Sequence, residues 1–197
     1  MSRVSPSSDG HAAAGAWEPD VLDGYHQRTL ALGPDPDGEG EIAATLVRRG
    51  DPVPARHAVL VVHGFTDYFF NTELADHLTE HRFSVYAIDL HKCGRSWRDG
   101  QTPHFTTDLR RYDAELDWAL SVIAAESGNP HVLMCGHSAG GLIVTLWLNR
   151  RKAQPAPGRG PYLAPRPLLR GSRHIAPHSP STGANRRATR RNRDRHR

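Results

Sequence analysis

Short apolar runs alternate with stretches of helical spacing along the middle of the chain. Continuous runs this short, rich in β-branched side chains, are typical of strands that are buried on both faces of a parallel sheet. They predict strands at residues 58–62, 83–88 and 131–135. Apolar positions three and four residues apart predict helices at residues 71–82, 107–125 and 139–151.

An antiparallel hairpin is predicted ahead of this alternation. Residues 25–32 and 41–48 have the composition of strands, and the segment between them is dense in Gly, Pro and Asp. The strands and helices that alternate after the hairpin imply a parallel sheet. We therefore predict an α/β fold for residues 17–151, with a mostly parallel sheet, an N-terminal antiparallel hairpin and an end after the helix at residues 139–151.

Composition separates both ends of the chain from this domain. Residues 1–16 are rich in Ser, Ala and Gly, and residues 152–197 are rich in Arg, Pro, Ala and Gly. Neither segment offers enough apolar surface to offset its ordering entropy, so both are predicted to be disordered. The net charge of +4 combines an acidic body with a strongly basic C-terminal segment. No specific nucleic-acid partner is expected, and an arm that binds nucleic acid or an anionic surface is the alternative.

The cysteines and the N-terminal residues bear on cofactors and location. Cys93 and Cys135 are too few for a disulfide framework and match no metal-site spacing. The N-terminal residues lack the apolar stretch of a secretory signal, and no run approaches the ~18 apolar residues of a membrane span. We expect a cytoplasmic protein without a transmembrane segment, metal or cofactor, and leave its oligomeric state open.

The pentapeptide Gly136-His137-Ser138-Ala139-Gly140 lies between a predicted buried strand and a predicted helix. This setting is typical of a nucleophile elbow, a sharp turn that exposes a serine hydroxyl at the carboxyl end of a strand. Gly136 and Gly140 fit this turn because larger side chains would collide there. We interpret Ser138 as a nucleophile that a base must activate. A serine that caps a helix beside small packing residues is the alternative.

A second motif, His63-Gly64-Phe65, directly follows the predicted strand at residues 58–62. Acyl transfer creates an oxyanion that two preorganised N–H donors stabilise. One predicted donor is the backbone N–H of Ala139, the residue after the nucleophile, and the other is that of Phe65. His63 is predicted to orient this loop by hydrogen bonding, with direct participation in the chemistry as the alternative.

A third segment, residues 89–96 (Asp-Leu-His-Lys-Cys-Gly-Arg-Ser), completes a recognisable pattern. Together the three motifs resemble the α/β-hydrolase superfamily in its serine aminopeptidase-like branch, which includes monoacylglycerol lipases and lysophospholipases. The similarity spans residues 25–151. It implies an α/β-hydrolase core and a serine hydrolase of small-molecule or lipid carboxylic esters, with peptidase or amidase activity as the runner-up. The branch usually has Arg, Gly and His where His91, Lys92 and Cys93 stand, which is expected to bear on the substrate.

The resemblance also implies a catalytic acid and a histidine that follow the nucleophile in the chain. After Ser138, only Asp194 and His196 occur in that order, within an Arg-rich run. No predicted strand or loop would place them against Ser138. The acid and the histidine of the triad therefore stay unassigned.

The sheet of this family continues beyond the elbow helix, whereas residues 152–197 predict no further strand. We hypothesise that the fold is truncated after that helix and that this segment arose from a shifted reading frame in GC-rich DNA. Translating the other two frames would test this hypothesis. The alternative function is that of a catalytically inactive hydrolase remnant or a binding protein.

Overall fold

The computed structural model describes residues 14–128 and 130–152 of the chain. The predictions for residues 1–13 and 153–197, which include Asp194 and His196, lie outside the described residues. The elements are β1 (Glu18–Pro19), β2 (Tyr25–Pro34), β3 (Glu41–Arg49), β4 (His57–Val62), α1 (Thr72–Glu80), β5 (Phe83–Asp89), α2 (Tyr112–Ser127), β6 (His131–Gly136) and α3 (Ala139–Lys152). Two 3₁₀ turns lie at Gly94–Ser96 and Leu109–Arg111.

These strands form one sheet in the order β1-β2-β3-β5-β4-β6. The first four strands of that order pair antiparallel, and β4 is parallel to both β5 and β6. The chain therefore begins with an antiparallel hairpin and continues as strand–helix–strand units. This confirms the predicted α/β architecture, with a mixed sheet in the described part of the chain.

Two of the differences between the observed elements and the sequence predictions stand out. The helix predicted from residue 107 begins at Tyr112, because the Asp108 carboxylate accepts the N–H of Arg110 at 2.9 Å and closes a 3₁₀ turn instead. Near the N-terminus, Gly15, which lies in the segment predicted to be disordered, donates its N–H to Thr29 O at 2.9 Å. The short strand β1 then pairs with β2, although nothing in its sequence predicts a strand.

Strand β4 lies at the centre of the core and is buried on both faces, as its apolar run predicts. Ala58, Leu60 and Val62 face a cluster that includes side chains of α2 and α3. Val59 and Val61 belong to the cluster on the other face, which includes Ala75 of α1. Helices thus cover both faces of the sheet and fix β4, whose carboxyl end leads into the His63-Gly64-Phe65 motif.

Strand β6 lies at one end of the described sheet, and β1 lies at the other. Leu133 on β6 and Leu142 on α3 are exposed. In the described part of the chain, no helix combines the length and apolar character needed to cross a membrane.

Candidate active site

The candidate site lies where the parallel strands β4, β5 and β6 end. Carboxyl ends of parallel strands meet at one edge of a sheet, and ligands of open α/β folds bind outside that edge. Residues 63–65 follow β4, residues 90–96 follow β5, and residues 137 and 138 follow β6. The fold therefore brings together the three motifs that the sequence places far apart.

Ser138 occupies the sharp turn between β6 and α3. Its φ is 50°, in the left-handed region that a residue with a side chain adopts only under constraint. The constraint is a set of backbone hydrogen bonds. His137 N–H donates to Val62 O at 3.0 Å, Gly140 N–H donates to His137 O at 2.8 Å, and Gly141 N–H donates to Ser138 O at 3.0 Å. The turn leaves Ser138 exposed at the end of the strand.

Glycines permit the close packing of this turn. A Cβ on Gly136 would lie 2.6 Å from Gly141 N, and a Cβ on Gly140 would lie 2.3 Å from Val62 O. The first approach is within the elbow, as the sequence predicts. The second is between the elbow and β4, so Gly140 also sets how closely α3 packs on the neighbouring strand.

The loop after β4 passes close to Ser138. A Cβ on Gly64 would lie 3.1 Å from His137 Nδ1 and 3.2 Å from Ser138 Cβ, so only a glycine fits without displacement. Phe65, the next residue, is 67% exposed beside this contact. Ala139 is the first residue of α3, and the first N–H groups of a helix have no intrahelical acceptor. The loops that carry both predicted oxyanion donors thus lie at the same edge.

His63 joins the ends of β4 and β5. Its Nε2 accepts the backbone N–H of Leu90 at 3.1 Å, so Nδ1 carries the hydrogen and donates to Gly64 O at 2.8 Å. The ring is buried, with both nitrogens engaged by backbone groups. This geometry agrees with a role in orienting the loop and leaves neither ring nitrogen for Ser138.

His137 contacts the loop after β4 through its side chain. Its Nδ1 lies 3.3 Å from Asp67 Oδ2, which links the elbow to the residues just beyond Phe65. Burial opposes ionisation of Asp67, but hydrogen bonds from Tyr68 N–H and His137 outweigh it, so the pKa of this carboxyl lies below its ordinary value. Asp67 was missed by the sequence reasoning, because nothing in its spacing distinguishes it from a solvated loop residue.

His104 is a second residue that the sequence did not indicate. Its ring centroid lies 5.8 Å from that of Phe65 and 6.3 Å from that of His63, with interplanar angles of 63° and 80°. Burial, followed by the neighbouring His63, lowers the pKa of His104. The residue has a φ of 61°, and its N–H donates to Lys92 O at 3.0 Å. His104 therefore borders the loop that carries Phe65.

Asp89 and Arg95 hold the far end of the same loop. Asp89 Oδ1 accepts Phe69 N–H at 2.9 Å, and Arg95 Nη1 donates to both Phe69 O at 2.9 Å and Asp89 Oδ2 at 2.8 Å. Arg95 also donates to both carboxylate oxygens of Asp20, at 2.6 and 2.8 Å. These buried charges fix residues 64–69 between β5 and the segment that contains Asp20.

The three departures from the family pattern are buried. His91 bonds to Glu115, Lys92 Nζ lies 2.5 Å from Asp35 and 2.7 Å from Glu39, and Cys93 is 2% exposed. The expectation that these residues bear on the substrate stays a prediction, and their buried side chains would act through the shape of the loop and not by contact with the substrate. Lys92 instead attaches the turn between β2 and β3 to the end of β5.

Solved structures similar to the chain include several esterases and lipases. A soluble variant of monoglyceride lipase from Saccharomyces cerevisiae is 21% identical with a TM-score of 0.43, covering 70% of this chain and 40% of its own. A cold-adapted esterase from an Arctic intertidal metagenomic library is 22% identical, with a TM-score of 0.40 and coverages of 66% and 58%. Acetyl xylan esterase from Paenibacillus sp. R4 is 18% identical, with a TM-score of 0.43 and coverages of 67% and 48%. The chain thus spans 40–58% of the length of these structures.

No curated protein matches the chain. The family model described as serine aminopeptidase, S33 matches residues 53–172. This range contains all three motifs of the candidate site. It starts after the hairpin and extends to residue 172, whereas the resemblance was drawn over residues 25–151 and the segment from residue 152 was expected to lie outside the family. The match covers more than half of the sequence, and the chain belongs to the serine aminopeptidase S33 family of α/β-hydrolases.

Proposed function

We propose that the protein is a serine hydrolase of carboxylic esters, with Ser138 as the nucleophile and the N–H groups of Phe65 and Ala139 as oxyanion donors. The observation that carries this proposal is the backbone of Ser138, held at a φ of 50° between β6 and α3 and against Gly64. Non-glycine residues keep such strain, about 1–3 kcal/mol, only where surrounding contacts enforce it. At a strand-to-helix turn, this conformation is what a nucleophile elbow requires.

In the proposed reaction, Ser138 Oγ attacks the ester carbonyl while a histidine base takes its proton. The carbonyl π electrons move to oxygen, and the two N–H groups stabilise that oxyanion. When the C–O bond to the alcohol breaks, the alcohol takes the proton from the base, and water then hydrolyses the acyl-enzyme by the same steps. The base and its acid are assigned to no described residue, and His63 is not available as the base because both of its ring nitrogens bond to backbone groups.

Acyl esters of the monoacylglycerol or lysophospholipid type are the proposed substrates. Aromatic side chains are exposed on the loops that follow β4 and β5, among them Phe65, Phe70 and Phe105. Exposed apolar surface beside a reactive centre suits an acyl chain better than a polar peptide. Peptidase activity is the alternative within the same chemistry.

Labelling with a fluorophosphonate tests the nucleophile, because this probe phosphonylates only an activated serine. We expect mass spectrometry to find the label on Ser138, and Ser138→Ala to remove it. Ser121→Ala is the matched control, since the Ser121 hydroxyl donates to Trp118 O on α2, away from the candidate site. Equal labelling of wild type and Ser138→Ala would contradict the proposal. A folded wild type that resists the probe would favour the inactive remnant.

A series of p-nitrophenyl esters and matching p-nitroanilides tests the substrate class. We expect ester hydrolysis that rises with acyl length and no detectable turnover of the anilides, whose amide bond is intrinsically less reactive. Turnover of the anilides that Ser138→Ala removes would instead assign the protein to the peptidases.

A further inference from the structure

A pair of histidines lies at the carboxyl end of α1, on the surface. His77 and His81 are four residues apart, which places them on one face of a helix. Their ring centroids are 4.4 Å apart with the planes tilted by 44°, and both residues are exposed. Two imidazoles one helical turn apart are the arrangement with which helices bind transition metals.

The orientation of His81 is fixed by its own backbone contacts. Its Nδ1 lies 2.8 Å from His77 O, and because a carbonyl can only accept, Nδ1 carries the hydrogen. Nε2 of His81 is therefore left with its lone pair. A ring N–H that donates to a backbone carbonyl is the usual support of a metal-ligating histidine. The N–H of His81 also donates to His77 O and Leu78 O, which anchors the residue at the helix end.

The charges of α1 favour a cation at this face. Thr72–Glu80 contains the acids Glu73, Asp76 and Glu80 and neither Lys nor Arg. Asp76 is paired with Arg49, whereas Glu73 and Glu80 are exposed. Glu73 lies one helical turn before His77, so its carboxylate lies on the same face and raises the local concentration of cations.

We infer that His77 and His81 form a two-histidine site for a divalent transition metal, with water completing its coordination. In the described ranges, no group of three or more His, Cys, Asp or Glu side chains is placed to hold a metal ion. Imidazole nitrogens select Cu²⁺, Ni²⁺ and Zn²⁺ over Mg²⁺ and Ca²⁺, which prefer oxygen ligands. This site revises the expectation of a metal-free protein and does not depend on the chemistry of Ser138.

Titration of the full chain with Ni²⁺ tests the site by NMR of ¹⁵N-labelled imidazoles, because the paramagnetic ion broadens the rings that it binds. The chain has 13 histidines. At substoichiometric Ni²⁺ we expect the His77 and His81 signals to broaden before the others, and a large excess of Mg²⁺ neither to shift these signals nor to prevent the broadening. His77→Gln should abolish the early broadening of His81 and weaken Ni²⁺ binding at least about tenfold, because loss of a ligand costs at least as much as loss of a residue that supports one.

His57→Gln is the matched control, because His57 and His131 also form a neighbouring pair, with centroids 5.8 Å apart. This variant should keep the early broadening of His77 and His81. His77 is exposed, so far-UV circular dichroism without metal should be the same for His77→Gln and wild type. Uniform broadening of all histidines would overturn the inference, as would His81 broadening that persists in His77→Gln or disappears in His57→Gln.

Discussion

Gly140 offers the sharpest test of how the elbow is built. A Cβ at this position would lie 2.3 Å from Val62 O and 2.4 Å from His63 O, whereas ordinary contact begins at 3.4 Å. Both obstacles are backbone atoms at the end of β4, which is paired with a strand on each side. Unlike a flexible side chain, they cannot turn away, so Gly140→Ala should displace the start of α3 by about 1 Å.

The cost follows from two opposing effects. Overfilling a packed site costs about 1–3 kcal/mol, and the overlap with backbone places Gly140→Ala toward the upper end of that range. Replacing a helical glycine by alanine returns up to about 1 kcal/mol. We therefore expect Gly140→Ala to lower the free energy of unfolding by about 2 kcal/mol.

Gly141 is the matched control, one residue further along α3. A Cβ there meets its nearest atom, Gly136 O, at 3.4 Å. Gly141→Ala should leave stability unchanged or raise it by up to about 1 kcal/mol. Urea denaturation followed by circular dichroism would measure both variants. A difference between them below about 0.5 kcal/mol, the ordinary scatter of surface substitutions, would refute this account of the packing.

Three further predictions concern the loops around the site. Gly94 has a φ of 46°, and a Cβ there would lie 2.4 Å from Tyr68 Cβ, so Gly94→Ala should lower the melting temperature. Gly100→Ala is the control for backbone strain alone, because Gly100 has a φ of 83° and a Cβ there would meet open space. Arg95→Met leaves the buried carboxylates of Asp20 and Asp89 uncompensated and should cost about 3–5 kcal/mol in denaturant unfolding, whereas Arg110→Met on the surface should cost less than about 1 kcal/mol. The hydrogen bond from the Thr107 hydroxyl is the largest effect on the Asp37 carboxyl and lowers its pKa. Burial opposes this shift, but Arg111 adds to it, so the pKa of Asp37 falls to about 2. Stability from this group is complete above its ordinary pKa and is lost as the pH falls toward 2, so thermal melts of Asp37→Asn should depend less on pH between 4 and 2 than those of wild type.

The strands and helices were predictable because their signals are local. The run at residues 58–62 is apolar throughout, and only a strand covered on both faces buries every side chain of so short a run. The start of α2 was not predictable in the same way. The helical spacing continues back through Leu109, but the Asp108 carboxylate binds the N–H of Arg110 and competes with the helix. A hydrogen bond between one side chain and the nearby backbone leaves a weaker signal in the sequence than a periodic pattern of apolar residues does.

In the candidate site as well, the features with a local sequence signal were predictable and those that depend on long-range contacts were not. The pentapeptide around Ser138 and the His63-Gly64 motif carry their signal within a few residues, so sequence alone indicated them. The residues that hold these motifs in place act at long range: Arg95 reaches Asp20, 75 residues away in sequence, and His137 reaches Asp67, 70 residues away. When two residues are this far apart in sequence, their side-chain types do not identify them as partners until the strand order is known.

Strain at Ser138 and stability elsewhere are connected through these long-range contacts. A residue at a φ of 50° stays there only while its neighbours are held, and Gly64 is one of these neighbours. Gly64 belongs to the loop that Asp89 and Arg95 fasten at Phe69, and Arg95 in turn is held by Asp20. The buried ion pairs are therefore better understood as supports for the elbow than as a source of stability, since buried pairs contribute little net free energy by themselves. The segment around Asp20 is therefore part of the structure that keeps Ser138 exposed.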